Sequence, residues 1–220
     1  MTGPDSGGNN WFGSQPSEAV LSFVPVGMMQ RTFFQRDPVT CARELVGCIL
    51  EWKGCSGVIV ETEAYSATND EACHTWSRPS AREFVFRNDA GAAYVYLNYG
   101  MYWMLNVLIK GGAEDGFVLF KALEPRRGID RMRERRLAAR RTATGGIRDA
   151  ALCSGPGKLA QALAVTGEDH GRDFCGTRGI AIRPGAGGVD VVSVYASEFR
   201  RQPNCRGALC SLKIRTFQCR

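Results

Sequence analysis

With 220 residues, 44% of them hydrophobic, the chain can bury a substantial core and is expected to form one folded domain. Twenty-eight basic against 22 acidic residues give a net charge of +6 and a pI near 8.9, which favours a polyanionic partner. No apolar run in the sequence approaches the roughly 20 residues that a bilayer-spanning helix needs, so no membrane partner is expected.

Residues 1–30 are rich in Gly, Ser, Pro and Asn and read as a disordered arm. Order is expected to begin at TFFQRDP. Asp37 before Pro38 is a helix start, an acidic cap followed by the residue best tolerated at the first helical position, and VTCARELVG supplies an apolar face that ends at Gly47. CILEW, a Lys-Gly turn and SGVIVETEAY then read as a β-hairpin. A second, very aromatic hairpin runs from Ala92 to Gly112 and is interrupted at Asn98-Tyr99-Gly100, which suits a tight turn with Tyr99 at its tip. GFVLFKALEP follows as a strand and the Arg126–Arg141 segment as a helix. That arginine run is either a solvated face or a phosphate-contacting surface. LCSGPGKLAQALAV reads as a turn feeding a helix, and GIAIRPGAGGVDVVSVY as a final strand pair. Strands at hairpin spacing with few crossover helices predict an antiparallel α+β domain over residues 31–195, followed by an atypical Arg- and Cys-rich tail, 196–220.

The nine cysteines contain no CxxC pair, which argues against a zinc ribbon or a thioredoxin-like redox site. With no apolar signal segment at the N-terminus, they point to reduced thiols and a cytoplasmic protein. Cys205, Cys210 and Cys219 could collect a metal only opportunistically, because structural zinc ligands are usually paired at short spacing. No metal and no cofactor are expected.

Strand periodicity puts Ile59, Glu61, Glu63 and Tyr65 on one face and Val60, Thr62 and Ala64 on the other. The first face is either a solvated edge or the wall of a cleft. In a cleft, desolvation makes a glutamate a better general base near neutral pH. One carboxylate is enough for hydrolysis of a glycosidic bond when the leaving group is already electron-poor or cationic, because water is then the one reactant that needs activating. In the second hairpin, Tyr94, Tyr96 and Asn98 share a face before the turn, and Tyr102, Met104 and Asn106 after it. Trp103 and Tyr94 read as core. A tyrosine at a hairpin tip has no neighbours to pack against, and a base stack is one partner it could enter. SGPGK fails as a nucleotide-binding loop, since Leu159 stands where Ser or Thr is required. What remains is either a helix N-terminus that holds a phosphate with Lys158 or a structural turn capped by Ser154.

From about Phe33 to about Ala164 the chain resembles the alkyladenine (3-methyladenine) DNA glycosylase family, a resemblance that rests on the motifs DP…ARELVG, IVETEAY, DEACH, AYVYLNYGMYWMLNV, VLFKALEP and LCSGPGKLAQAL. The resemblance implies a single mixed α/β domain around a curved antiparallel sheet, with a protruding β-hairpin and surrounding helices. It also implies a monomeric base-excision repair enzyme that flips alkylated or deaminated purines out of double-stranded DNA and hydrolyses the base–sugar bond without a metal. Such an enzyme would be nucleoid-associated in a bacterium. Carried over by position, Glu63 would activate water, Tyr65, His74 and Tyr96 would enclose the purine, and Asn106 would line the pocket floor. Tyr99 would wedge into the duplex and Lys121 would stand near the DNA backbone; Lys158 is the DNA-contacting candidate from the SGPGK helix N-terminus. No lysine accompanies the glutamate in the pocket motifs, so a Schiff-base lyase step is not expected and the enzyme would be monofunctional.

The sequence departs from that pattern at Lys121, where the family usually has an arginine, and in the segment between His74 and Tyr94, a connection that bears on the pocket rim. It departs again after Val194, where the family's closing segment is not recognisable. A damaged-DNA-binding protein that no longer cuts is therefore the alternative reading, distinguished by lesion binding without base release. A nucleotide-hydrolysing enzyme built on SGPGK is disfavoured by the failed motif.

Overall fold

The computed structural model describes residues 27–68, 70–139, 145–185, 190–195 and 214–218. The arm expected over 1–30 lies outside them except for its last four residues, of which Met29 already donates its amide to Ile182 O at 2.8 Å. Asp37 caps α1 (Pro38–Leu45) as expected, its Oδ1 accepting from the amides of Val39 and Thr40 at 2.9 and 3.0 Å.

β1 (Ile49–Trp52) and β2 (Cys55–Ser66) form the first hairpin, and Lys53 and Gly54 both take positive φ, 47° and 81°. A two-residue turn of that hand matches the twist of its strands. β3 (Ala93–Asn98) and β4 (Tyr102–Ile109) form the second, with Tyr99 and Gly100 at φ 48° and 67° and the Met101 amide closing the turn on Asn98 O at 3.0 Å. Between the hairpins lie α2 (His74–Ser77) and α3 (Pro79–Arg87). β5 (Gly116–Arg127) follows, then α4 (Ile129–Ala138), α5 (Asp149–Leu152), α6 (Pro156–Leu163), β6 (Ile180–Arg183), β7 (Val191–Tyr195) and β8 (Ile214–Gln218).

The sheet is curved and antiparallel, in the order β3-β4-β5-β2-β1-β6, so the chain is the α+β domain with a protruding hairpin that was expected. β2 runs through its middle, paired along its length with β5 on one side and on the other with β1 and then β8, which meets it from Glu61 to Ala64. Residues 214–218 of the tail thus return beside the middle strand and also pair with β7. The rest of the tail lies outside the described residues, and with it Cys205, Cys210 and Cys219.

The expected pairing of the last two strands does not occur. β6 lies against the free edge of β1, with Leu50 opposite Ile182, whereas β7 pairs with β8. Adjacency in sequence favours a hairpin, but β1 presents an open ladder of backbone donors and acceptors that β6 satisfies.

Helices cover both faces of the sheet. On one face the main core joins Cys41, Ala42 and Leu45 of α1 and Leu159, Ala160, Ala162 and Leu163 of α6 to Leu50, Ala64, Leu105, Val118 and Phe120 of the strands. On the other, Ala81 and Phe84 of α3 pack with Tyr94, Leu108 and Phe117. Three of the eight arginines of the run help to hold α4 in place: Arg135 donates to Ala162 O at 3.0 Å, Arg136 to the Gln161 side chain, and Arg133 to Asp149 as well as to Asp130 of its own helix. For these three arginines the phosphate-surface reading gives way to internal pinning.

Among the described residues no helix is long and apolar enough to cross a membrane, and no group of three or more His, Cys, Asp or Glu side chains is placed to hold a metal. Cys41, Cys48, Cys55, Cys73, Cys153 and Cys175 are free thiols. Burial pushes Cys41 up to about 11 and Cys153 up to about 12, which leaves both as unreactive packing groups.

Candidate active site

The parity of β2 changes at a bulge. Ile59 pairs with Leu123 and Glu61 with Ala122, so Val60 is an extra residue on β2; Thr62 pairs with Phe120, so Lys121 is an extra residue on β5. Ile59 therefore joins Ala64 in the main core, contrary to the face assigned by strict alternation. A single inserted residue moves everything beyond it to the opposite face. The Thr62 hydroxyl donates to Ala42 O of α1 at 2.8 Å and locks the strand in this register. Glu63 and Tyr65 consequently face the second cluster.

Glu63 is only 5% exposed, and both of its oxygens are engaged. Oε2 accepts from the Tyr65 hydroxyl at 2.7 Å, and Lys121 Nζ stands 3.2 Å from Oε1. Burial, reinforced by the Glu63 charge, raises the Tyr65 phenol far above its ordinary value, so it remains a proton donor to the carboxylate. The Lys121 side chain is 15% exposed and turned toward Glu63.

Tyr96, Tyr94 and Asn106 line the neighbouring strands on the same face. His74, at the start of α2, packs edge-on against Tyr96 at 4.1 Å between ring centres, and its Nδ1 lies 3.0 Å from the Tyr94 hydroxyl. Burial, with the nearby Arg78 charge adding to it, pushes His74 down to about 4, so the imidazole is neutral at physiological pH. Burial pushes Tyr94 and Tyr96 up to about 12. Asn106, 3% exposed, sits opposite Tyr94 in the ladder and donates Nδ2 to Tyr94 O at 3.0 Å. That bond fixes the amide at the base of the aromatic wall.

Glu63, Tyr65, His74, Tyr96, Asn106 and Lys121 thus come together, while Tyr99 and Lys158 lie outside. Tyr99 is 86% exposed at the hairpin tip, flanked by exposed Leu97, Met101 and Tyr102. Lys158 is exposed on the first turn of α6, where its Nζ donates to Ser154 Oγ at 3.1 Å; Ser154 does not cap the helix. Gly157 abuts the Tyr102 ring, and a Cβ there would come within 2.9 Å of it, so the α6 N-terminus and the hairpin share one side of the molecule.

Two supports escaped the sequence reading. Tyr94 is core, as expected, stacked on Phe117 at 4.4 Å, but its hydroxyl also orients His74. Arg78 places its guanidinium 5.8 Å from the Tyr96 ring centre, over the ring. The RPSAREF stretch carried a usable signal for α3, a proline at the first helical position before an apolar turn.

The arrangement is a buried carboxylate beside a group of aromatic rings, at the foot of a hairpin with an exposed aromatic tip. Residues 32–197 match the family model described as methylpurine-DNA glycosylase. A protein of Rhizobium etli is 42% identical over 160 residues, 73% of this chain and 74% of its own length. One from Rhodopseudomonas palustris (strain CGA009) is 42% identical over 144 residues, 66% of each chain. One from Rubrobacter xylanophilus is 41% identical over 146 residues, 64% of this chain and 71% of its own. All three are provisionally named 3-methyladenine DNA glycosylases.

Proposed function

The chain belongs to the methylpurine-DNA glycosylase family, and from that premise we propose that it excises alkylated or deaminated purines from double-stranded DNA by hydrolysing the N-glycosidic bond. The observation that carries this reading is the Glu63 carboxylate, buried and engaged by Tyr65 and Lys121 beside the Tyr96 and His74 rings. The target nucleotide leaves the base stack, at a cost of a few kcal/mol that is least for a damaged or mispaired base. Tyr99 enters the space it vacates. The purine stacks on Tyr65, Tyr96 and His74, and Asn106 forms the floor against which the base edge is tested.

Inside the cleft Glu63 accepts a proton from water as the water attacks C1′, and its charge stabilises the oxocarbenium-like sugar. An alkylated purine is already cationic and departs without a second carboxyl group to protonate it. A neutral His74 suits this site, since an imidazolium would repel a cationic base. In the tautomer in which the Tyr94 hydroxyl donates to Nδ1, the ring proton lies on Nε2, where it can donate to the base or sugar. Lys158 binds a backbone phosphate outside, and the protein acts as a monomer on its duplex.

The test is single-turnover incubation with duplexes containing hypoxanthine, ethenoadenine or an alkylated purine. Wild-type protein is expected to release the base and Glu63→Gln is not; base release that survives in Glu63→Gln refutes the mechanism. No observation favours the binding-only alternative, because β8 lies along β2 opposite Glu63.

A further inference from the structure

The VLFKALEP segment brings a primary amine against the carboxylate that the proposed reaction uses, although no lysine stands in the motifs carrying Glu63, Tyr65 or His74. Lys121 is the bulged residue of β5, unpaired in the ladder between Phe120 and Ala122. A bulge turns its side chain out of the regular alternation, and here it aims Nζ at Glu63 Oε1, 3.2 Å away. We propose that the site has a second activity, cleavage of the DNA strand at the abasic product through a Schiff base formed on the Lys121 amine.

This rests on the glycosylase reading, since it needs C1′ of the sugar beside Glu63. A water held by that carboxylate and poised for attack places C1′ about 3–3.5 Å beyond the water. Nζ borders the same carboxylate on a flexible four-carbon stem, so C1′ is within its reach. A guanidinium in this place would keep its proton and could not attack, whereas an ammonium can give one up.

The step balances without a cofactor. After base hydrolysis C1′ opens to an aldehyde. The Lys121 ammonium passes a proton to Glu63, and the free amine adds to C1′ through its lone pair. The carbinolamine oxygen, protonated by Glu63, leaves as water and gives an iminium ion. Glu63, again a carboxylate, takes a proton from C2′; the C3′–O bond breaks and the 3′-phosphate departs with the electron pair. Water then hydrolyses the conjugated imine, freeing Lys121 and an unsaturated aldehyde end.

The experiment uses a duplex with a preformed abasic site, which needs no base release, incubated with full-length protein and borohydride. Wild-type protein is expected to form a reduced covalent adduct whose mass equals protein plus DNA, with peptide mapping placing the link on Lys121 and Lys121→Arg reducing it to background. If Lys121→Arg does not fold, the mapping on wild-type protein decides alone. No adduct from wild-type protein, or an adduct on another amine such as Lys110 or Lys158, overturns the proposal. Lesion duplexes are run in parallel: base release without an adduct sinks this inference and leaves the glycosylase reading standing, whereas an adduct on Lys121 without release from any lesion sinks the glycosylase reading instead.

Discussion

Replacing Tyr65 by Phe removes one hydroxyl and keeps the ring, so it separates the two tasks assigned to this residue. The lost contact is the 2.7 Å hydrogen bond to Glu63 Oε2, with the carboxylate 5% exposed and Lys121 left as its partner on Oε1. A hydrogen bond to a charged group contributes about 1.5–3 kcal/mol. If that energy serves to aim the carboxylate at its water, the rate of base release at saturating enzyme falls about 10- to 150-fold, since 1.36 kcal/mol is a factor of ten. Stacking survives, so affinity for the lesion duplex is expected to change less than about threefold, roughly 0.6 kcal/mol. The assay pairs single-turnover release of hypoxanthine with duplex binding by Glu63→Gln and by the double variant Glu63→Gln/Tyr65→Phe, in which no chemistry blurs the measurement. A variant that releases base at the wild-type rate, or one that loses affinity while its saturated rate holds, refutes the positioning argument.

Tyr99→Ala removes an aromatic group that is 86% exposed and is expected to leave thermal stability within about 0.5 kcal/mol of wild type while weakening lesion binding by about 1–3 kcal/mol, the scale of one base–aromatic stack. Equal affinity in a fluorescence-anisotropy titration would remove the wedge role. Lys158→Gln is expected to lower the slope of log affinity against log salt by about 0.9, the contribution of one phosphate contact, and an unchanged slope would take Lys158 off the DNA. His74, pushed down by burial to about 4 from 6.5, is protonated more readily in the unfolded chain. Its contribution to stability is therefore fully present above about pH 6.5 and is lost as pH falls toward 4. Melting curves of wild type and His74→Gln over that window should diverge, the wild type falling more; parallel curves would show that the imidazole is not held neutral.

Local rules acting within a few residues were enough to read α1 from Asp37-Pro38, both hairpins from their turn residues, and Tyr99 at a tip where Asn98 and Gly100 flank it. Glu63, Tyr65, His74, Tyr96 and Asn106 could be nominated because each stands in a motif that resembles a known family. What lay beyond reach depended on which strands become neighbours. Ile59 left the face of Glu63 because two strands slip past each other at Val60 and Lys121, a feature of the pair that neither segment displays alone. β6 chose β1 over β7, and residues 214–218 came back beside β2, because open backbone ladders are satisfied by whatever strand the closed fold delivers. Lys121 is 58 residues from Glu63 in the chain and 3.2 Å from it in space. Residue type is written in the sequence; the ion pair is not, because it exists only once β5 and β2 share an edge.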